Sequence, residues 1–325
     1  MRADLVSALR AEALAAGARI VTGQRLAGQS DPRTADADLV VGADGIWSAT
    51  RRALDPVAPE PTYAGLYSVS GTSDRVPASL PRDGFNWIFA RRGVFIFLPA
   101  PDGTVWWTAQ VSAPEPPSDP AAVGVAELAA LFATEPQAAA VLQAATAVRT
   151  ANLGHVLKRV TRRHGDRIVL IGDSAHPVGA GQGASIAMED AVVLARHLAA
   201  RTGTATGTGR TRAAKGTGMV DETRAESGMS RTDAMSRTDA MSRTDAMSRT
   251  DAIGEALAAF DAERQPRAGK LAKMEAGNRD AKTAGPIATR MRELIMPHVF
   301  NRFYENATGW LYDFDPGSVP AVHAR

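Results

Sequence analysis

Two aspartates that follow short apolar stretches are the residues of this sequence best suited to chemistry. One stretch, LVV at residues 39–41, ends shortly before Asp44, and the other, IVLI at residues 168–171, leads directly into Gly172 and Asp173. Apolar runs of this kind are typical of buried parallel strands. Because an open α/β sheet binds its ligands at the carboxyl ends of its strands, we expect both carboxylates at one sheet edge.

The residues after Asp173 are rich in glycine and lead into a helix. Gly179, Gly181 and Gly183 lie in this short segment, and a long apolar helical pattern begins near Ser185. Glycine lets a backbone approach a ligand closely, and the N-terminus of a helix attracts negative charge. A strand, a glycine-rich turn and a helix in this order predict a site for a polar, anionic cofactor.

The segment that contains Asp44 has the pattern D-G-x-x-S-x-x-R, which runs from Asp44 and Gly45 to Arg51. Taken alone, this pattern also fits a plain turn followed by a solvated arginine. Its similarity to the strand that ends at Asp173 favours a second ligand-binding segment at the same sheet edge.

Composition excludes several kinds of site. The sequence contains no cysteine, which rules out disulfides, thiolate metal ligands and thiol nucleophiles, and we predict no metal site. The 37 basic and 35 acidic residues are balanced outside residues 201–252, so no nucleic-acid-binding face is expected. The N-terminus lacks a signal-peptide core and no apolar run could cross a bilayer, so we predict a cytoplasmic protein without membrane contact.

The elements expected around the two aspartates are those of an α/β sheet. Helical spacing over residues 3–16 ends at Gly17, and residues 18–22 and 38–41 have the pattern of strands. Residues 63–111 are richer in aromatic and β-branched side chains, which predicts an antiparallel sheet that forms a second domain.

Further helices are expected on both sides of the glycine-rich segment. Residues 121–147 predict a helical pair that is broken near Pro136. Residues 253–274 predict a helix that Pro266 should kink or break, and residues 289–304 predict another helix.

A low-complexity segment covers residues 201–252 and ends in four tandem copies of MSRTDA at residues 229–252. On a helix, a period of six residues distributes the methionines around the axis, so no apolar stripe forms. We therefore predict that this segment is a disordered insertion.

These motifs together resemble a known enzyme family. The segments at Asp44 and Asp173 resemble the DG and GD motifs of class A flavin-dependent monooxygenases, the para-hydroxybenzoate and salicylate hydroxylase type. Arg2, within MRADLVSAL, resembles the arginine of the family's R-x-x-L-x-x-x-L helix, and residues 259–268 resemble its Y-x-x-x-R-x-P-R-A segment. The GWLYDFDP run at residues 309–316 resembles the tail of many members.

The resemblance implies an α/β fold: a glutathione-reductase-like sheet domain that binds FAD and NAD(P), an antiparallel substrate sheet and C-terminal helices. We expect five segments, namely the first and incomplete part of the FAD-binding domain at 1–60, the substrate sheet at 61–120, the return to the FAD-binding domain with the GD motif at 121–200, the disordered insertion at 201–252 and the C-terminal helices at 253–325.

By the same resemblance, FAD is the cofactor, NAD(P)H is the co-substrate, and oxygen is transferred to a small, electron-rich and often aromatic substrate. Asp173 would accept hydrogen bonds from the ribityl hydroxyls, and the turn around Gly181 would face the pyrimidine end of the flavin. Arg2 would lie near the FAD phosphates, and Asp44 with Arg51 would contribute to FAD and NAD(P)H binding. The full set of expected cofactor-binding residues is Arg2, Asp44, Gly45, Arg51, Gly172, Asp173, Gly181, Gly183 and Ala184.

No catalytic side chain is assigned, and the oligomeric state is not predicted. Aromatic residues of the substrate sheet are candidate walls of the substrate pocket, although such residues also serve as core. They are Trp87, Phe95, Phe97, Trp106 and Trp107.

The chain departs from the family in one respect that bears on cofactor binding. Members begin with a strand, a G-x-G-x-x-G turn and a helix that hold the ADP half of FAD, and the only comparable glycine run here lies at residues 179–183. The resemblance therefore implies an N-terminally truncated chain, and we expect this polypeptide alone to bind FAD poorly or not at all.

The sequence is also compatible with two alternative functions. The first is an inactive remnant of such an oxidoreductase. The second is a GDS-type esterase with Ser174 as the nucleophile, which would need a late histidine such as His298 or His323 as its base.

Overall fold

The computed structural model describes residues 2–26, 31–74, 76–77, 79–81, 84–177, 182–208, 231–282 and 309–319. Within these ranges the helices are α1 (Arg2–Ala15), α2 (Ala49–Leu54), α3 (Val125–Leu131), α4 (Pro136–Gln143), α5 (Gly183–Thr208) and α6 (Arg231–Lys282). The strands are β1 (Val40–Gly42), β2 (Thr62–Ser73), β3 (Asn86–Ala90), β4 (Gly93–Pro99), β5 (Val105–Ser112), β6 (Ala145–Val156) and β7 (Ile168–Leu170).

Strands β1 and β7 form a parallel pair, as the two apolar stretches predict. Val40 lies opposite Ile168, and Gly42 lies opposite Leu170. All three residues of β7 are buried, which explains why that strand is apolar throughout. The pairing places the residues that follow both strands, including Asp44 and Asp173, beyond the same edge of the sheet.

A second, antiparallel sheet has the strand order β3-β4-β5-β2-β6. One of its faces packs on α3 and α4, and the shared core includes Val69, Phe95, Phe132 and Leu142. The predicted antiparallel sheet over residues 63–111 is therefore confirmed. The sheet also extends past the boundary predicted at residue 120, because β6 pairs with β2 along most of its length.

Most of the aromatic residues expected to line a pocket belong to this core instead. Phe95 and Phe97 are fully buried and Trp107 is nearly so, which makes them core residues. Trp87 is 40% exposed and stacks on Phe89. Phe95, Phe97 and Trp107 are core residues because β4 and β5 are inner strands of the sheet, and their inward side chains face α3 and α4.

In the N-terminal region the predicted helix is present, whereas the predicted strand is not. Helix α1 ends just before Gly17, whose φ of 89° is a left-handed conformation that suits a helix end. Residues 18–22 were predicted as a strand, but they have no regular structure, and Val21 is 55% exposed. A β-type sequence becomes a strand only beside a hydrogen-bonding partner, and none of the described residues pairs with this segment.

The prediction of disorder is wrong for the hexapeptide repeats, because residues from Arg231 onward belong to helix α6. The repeats contain neither glycine nor proline, and each aspartate stands four residues before the next arginine, a spacing that favours helices. The same helix continues into a buried part that includes Ile253, Leu257 and Phe260. A helix anchored by packing can extend over residues with good helix propensity.

Pro266, which was expected to kink or break this helix, does not break it. It lies inside α6, and Ala268 and Leu271 just beyond it are buried. Packing on both sides of the proline offsets the lost backbone hydrogen bond. The helix predicted over residues 289–304 lies outside the described residues.

Helices α5 and α6 pack together against the parallel pair. Val193 and Leu194 of α5 share a core with Leu257 and Phe260 of α6 and with Val169 of β7. This packing fixes where the N-terminus of α5 lies relative to the residues that follow β7. Among the described helices, none is long and apolar enough to cross a membrane.

Candidate functional site

Asp173 lies three residues after the end of β7, in a short 3₁₀ turn formed by Gly172–Ser174. Gly172 has a φ of 58°, a left-handed conformation that turns the chain at this point. Helix α5 begins at Gly183, and a Cβ added there would stand 3.5 Å from Oδ1 of Asp173. The carboxylate of Asp173 therefore lies beside the N-terminus of α5, as the sequence predicts.

Asp44 is held by its own loop. Its Oδ1 accepts a hydrogen bond from Oγ of Ser48 at 2.6 Å, and its Oδ2 accepts from N and Oγ1 of Thr50 at 2.9 and 3.0 Å. Partial burial raises the pKa of Asp44, but the hydrogen bonds from Ser48 and Thr50 outweigh it and hold the pKa below its usual value. Ser48 in turn caps α2 by accepting from N of Arg51 at 2.8 Å.

Arg51 is completely buried between the two aspartate loops. Its Nη1 donates to the carbonyl oxygen of Ser174 at 3.0 Å, and its Nη2 donates to that of Ile46 at 2.6 Å. Burial lowers the pKa of Arg51, and the charge of Glu60 opposes this shift. The guanidinium is therefore bound to main-chain groups of both loops, and the expected contribution of Arg51 to FAD or NAD(P)H binding stays a prediction.

Ser174 has the contacts of a structural residue. It is fully buried, and its Oγ lies 2.6 Å from the carbonyl oxygen of Gly42 and 2.7 Å from that of Ile171. A nucleophilic serine instead needs a base within hydrogen-bonding distance and access for the substrate. His176, two residues further on, contacts the carboxylate of Asp190 instead of Ser174. The esterase interpretation is therefore not supported by this geometry.

Asp190 is a central residue of the site that the sequence interpretation missed. It lies on α5 and is fully buried. Its Oδ2 accepts from N of Gly172 at 2.7 Å and lies 2.8 Å from Nε2 of His176, and its Oδ1 accepts from Nε of Arg264 at 2.7 Å. Burial raises the pKa of Asp190, but His176, Gly172 and Arg264 together lower it below the usual value.

A signal for this network was present in the sequence. Asp190 is a charged residue within an apolar helical pattern, and Arg264 belongs to the 259–268 run that resembles the family's Y-x-x-x-R-x-P-R-A segment. An aspartate at a position that faces the core needs a buried cation, and the sequence alone does not show which of many arginines supplies it.

The neighbouring Glu189 connects both helices to the C-terminal segment. It accepts from Nη2 of Arg264 at 2.8 Å and from Nε and Nη2 of Arg267, both at 2.7 Å. The Arg267 guanidinium also lies 4.2 Å from the ring centroid of Phe314, and Lys270 lies 3.9 Å from that of Trp310. The GWLYDFDP run thus packs on α6.

The other expected cofactor-binding residues are placed as follows. Gly45 has a φ of 74° in the turn after Asp44, and Ala184 is the exposed second residue of α5. Arg2 is the first residue of α1, and Gly181 lies outside the described residues. Their expected contacts with FAD stay predictions. Among the described residues no group of His, Asp and Glu could hold a metal ion.

Comparison with known proteins gives the family. The FAD binding domain family matches residues 3–213, which is more than half of the chain. The chain belongs to this family. The expected class A flavin-dependent monooxygenase family is thereby confirmed, and the relatives below agree with it.

Two relatives are named as monooxygenases. Aurachin C monooxygenase/isomerase of Stigmatella aurantiaca is 36% identical over 177 residues, which cover 52% of this chain and 44% of the relative. The 3-amino-4-hydroxybenzoate 2-monooxygenase of Streptomyces cremeus is 35% identical over 185 residues, which cover 54% of this chain and 44% of the relative. The chain thus spans less than half the length of these relatives.

Solved structures of other proteins share the fold. A salicylate hydroxylase in complex with its substrate has a TM-score of 0.58 and 20% identity, and the match covers 88% of this chain and 65% of that one. Klebsiella pneumoniae HpxO, solved with FAD and uric acid, has a TM-score of 0.57 and 21% identity, and the match covers 85% and 59%. The predicted α/β fold with an antiparallel sheet and C-terminal helices is confirmed.

The geometry of the Asp173 loop fits one part of FAD. The flavin half carries a chain of hydroxyl groups, which suit a carboxylate acceptor, and a ring that suits an open helix N-terminus. Apart from the chain neighbours of Gly183 and its own helix, the described residues place only the Asp173 carboxylate within 4 Å of a Cβ added there, which leaves space at this position. A G-x-G-x-x-G motif for the phosphates does not occur in the 325 residues.

Proposed function

We propose that this chain forms the flavin-facing part of the FAD site of a monooxygenase, which uses NAD(P)H and O2 to hydroxylate a small aromatic substrate. The observation that carries the proposal is the carboxylate of Asp173, which lies at the end of β7 and beside Gly183 at the start of α5. Membership of the FAD binding domain family supports FAD as the ligand of this loop.

The residues of this chain would bind and orient the flavin. Asp173 would accept hydrogen bonds from its hydroxyl groups, as an ionised carboxylate with several acceptor positions can. The backbone at Gly183 and Ala184 would face the ring, where the positive end of α5 stabilises negative charge. Arg2 would lie near the phosphates, and Asp44 with Gly45 would border the same edge. FAD, when bound, would supply the redox chemistry.

We expect the substrate to bind on the side of the flavin that faces the antiparallel sheet. Trp47, which follows the Asp44 loop, packs edge-on against His155 of β6 at a centroid distance of 5.0 Å. This contact joins the FAD-binding edge to the sheet, so a small substrate between them would lie near the flavin. The two structural neighbours with uric acid and a salicylate hydroxylase substrate support a small ring compound.

A binding titration tests the cofactor part of the proposal. FAD is added to the purified chain, and flavin fluorescence gives the Kd, while absorbance after gel filtration shows whether the flavin is retained. Because the sequence lacks the G-x-G-x-x-G turn, we expect measurable quenching and little retention. Asp173→Asn should raise the Kd about tenfold, since hydrogen bonds to a charged acceptor are worth roughly 1.5–3 kcal/mol.

The matched control is Asp166→Asn, which changes an exposed aspartate on the other side of β7. It should leave the Kd within about twofold, as surface substitutions usually do. Equal binding by wild type and Asp173→Asn would overturn the assignment of this loop to the flavin. No quenching at all by wild type would overturn the proposal that this chain by itself binds the flavin.

Turnover distinguishes the enzyme from the inactive remnant. The chain, saturated with FAD, is mixed with NADH or NADPH and a panel of hydroxylated benzoates, and oxidation of the nicotinamide is followed at 340 nm together with product formation. Product that depends on both substrate and O2 supports the enzyme. Flavin binding without any nicotinamide oxidation supports the remnant.

A further inference from the structure

A buried carboxylate on α5 holds the turn that presents Asp173. Gly172 stands directly before Asp173, and its N–H donates to Oδ2 of Asp190 at 2.7 Å. Gly172 has a left-handed φ of 58°, which turns the chain directly before Asp173. A Cβ at Gly172 would stand 3.0 Å from that of Ala187, so the turn also lies close against α5.

Asp190 can act in this way only because a cation faces it. The carboxylate is fully buried, and a buried charge without a partner is strongly unfavourable. Arg264 of α6 is 2% exposed and donates from Nε to Oδ1 of Asp190, which leaves Oδ2 for Gly172 and His176. Oδ1 of Asp190 therefore binds α6, whereas Oδ2 binds the loop.

Only an ionised aspartate can form both of these contacts. Both Nε of Arg264 and N of Gly172 are donors, so both oxygens of residue 190 must accept. An asparagine has one accepting oxygen and one donating nitrogen. Its NH2 group would therefore face the N–H of either Arg264 or Gly172, and two donors cannot form a hydrogen bond. Asp190→Asn is therefore nearly unchanged in volume, but it loses one of the two connections.

We propose that Asp190 is a positioning residue for the loop that carries Asp173, and that Arg264 of the C-terminal helix α6 orients its carboxylate. Flavin binding at Asp173 is then coupled to the position of Arg264 on α6. The flavin part of this inference rests on the proposed function, whereas the effect on the loop does not require a bound ligand.

Hydrogen exchange of the full chain without flavin tests the effect on the loop. The exchange of a peptide covering residues 170–177 is compared between wild type and Asp190→Asn, with a peptide from β5 as the internal reference for global unfolding. Because the cationic Arg264 is the stronger donor, the single amide oxygen of Asp190→Asn should face Arg264 and its NH2 group should face Gly172. The loop then loses its anchoring hydrogen bond, and we expect its peptide to exchange about tenfold faster or more, relative to β5.

Asp261→Asn is the matched control. Asp261 also lies on α6 and forms a two-pronged pair with Arg163, at 2.6 and 3.0 Å, and it has no hydrogen bond or ion pair to the described loop residues 171–177. It should change the relative exchange of the loop peptide by less than about twofold. Arg264→Lys keeps a positive charge and serves as a second variant if Asp190→Asn does not fold; it should loosen the same peptide.

FAD titration of the same proteins provides the second measurement. We expect Asp190→Asn to raise the Kd by about fivefold or more, with Asp173 still present, and Asp261→Asn to leave it nearly unchanged. Loop exchange that matches wild type in both Asp190→Asn and Arg264→Lys, or equal loosening in Asp261→Asn, overturns the proposal. If wild type does not bind FAD, the proposed function fails, and the exchange experiment still decides whether Asp190 positions the loop.

Discussion

Arg51 donates a hydrogen bond from Nη1 to the main-chain carbonyl of Ser174, 3.0 Å away and 123 positions later in the chain. The same guanidinium donates to the carbonyl oxygen of Ile46. One buried cation thus connects the loop after β1 with the loop after β7. The two aspartates of the site are held on one edge by this contact as well as by the pairing of the strands.

Arg51→Met should destabilise the fold. The substitution leaves the carbonyl oxygens of Ser174 and Ile46 buried without donors, at a cost of about 3 kcal/mol in the free energy of unfolding. Urea unfolding measures this change. The control is Arg52→Met, which removes an exposed arginine 3.8 Å from Glu60 and should cost no more than about 0.5 kcal/mol. Equal effects of the two substitutions would contradict the structural role of Arg51.

Asp44→Asn should lower stability at neutral pH but not in acid. The folded state holds the pKa of Asp44 below that of the unfolded chain, so its stabilisation is fully present above the unfolded pKa of about 4. This contribution is lost as the pH falls through the lower, folded value. We expect a loss of about 1 kcal/mol at pH 7, since the loop is partly exposed to water.

The measurement for Asp44 is urea unfolding of both proteins from pH 7 down to pH 3. The free energies of wild type and Asp44→Asn should converge at the acid end, because the wild-type carboxyl becomes protonated there. Asp36→Asn changes an exposed aspartate and should show no such convergence. A difference between wild type and Asp44→Asn that stays constant over this range would show that ionised Asp44 is not stabilising.

Two glycines near Asp173 should respond differently to alanine. Gly172→Ala forces a side chain into a left-handed conformation against Ala187 and should cost about 1–3 kcal/mol of stability. Gly183→Ala adds a methyl group in ordinary contact distance of Asp173, so unfolding should change by less than about 0.5 kcal/mol. The same methyl group should weaken FAD binding, because it fills space beside the carboxylate. Thermal unfolding and FAD titration of both variants test this contrast, which would be wrong if Gly183→Ala bound FAD like wild type.

Ser174→Ala tests the esterase alternative directly. The hydroxyl contacts the carbonyl oxygens of Gly42 and Ile171, so its loss should cost about 1–2 kcal/mol of stability. Hydrolysis of p-nitrophenyl acetate should stay at the level of buffer in wild type and variant alike. Ser118→Ala, in an exposed loop, should leave stability unchanged. Hydrolysis by wild type that Ser174→Ala abolishes would restore the esterase function.

Local patterns predicted much of the fold correctly. The apolar stretches at 39–41 and 168–171, the aromatic strands of residues 63–111 and the helix that ends at Gly17 are all present. These elements are specified by neighbouring residues, through strand-type apolar runs and helix-ending glycine. The strand expected at 18–22 failed because a strand depends on a partner elsewhere in the chain. The prediction of disorder for the repeats was wrong because a packed helix can extend into them.

The sequence by itself determined the two aspartate motifs, the absence of thiol chemistry and the family to which the chain is similar. Only the tertiary structure decided what the neighbouring charges do: Arg51 connects two loops, and Asp190 with Arg264 supports the turn at Gly172. The physical reason is that a buried charge must find its partner in space, and the partners here lie 74 and 123 positions apart in the chain. Spacing along the sequence identifies groups that act within one turn, whereas packing selects those that meet across the core.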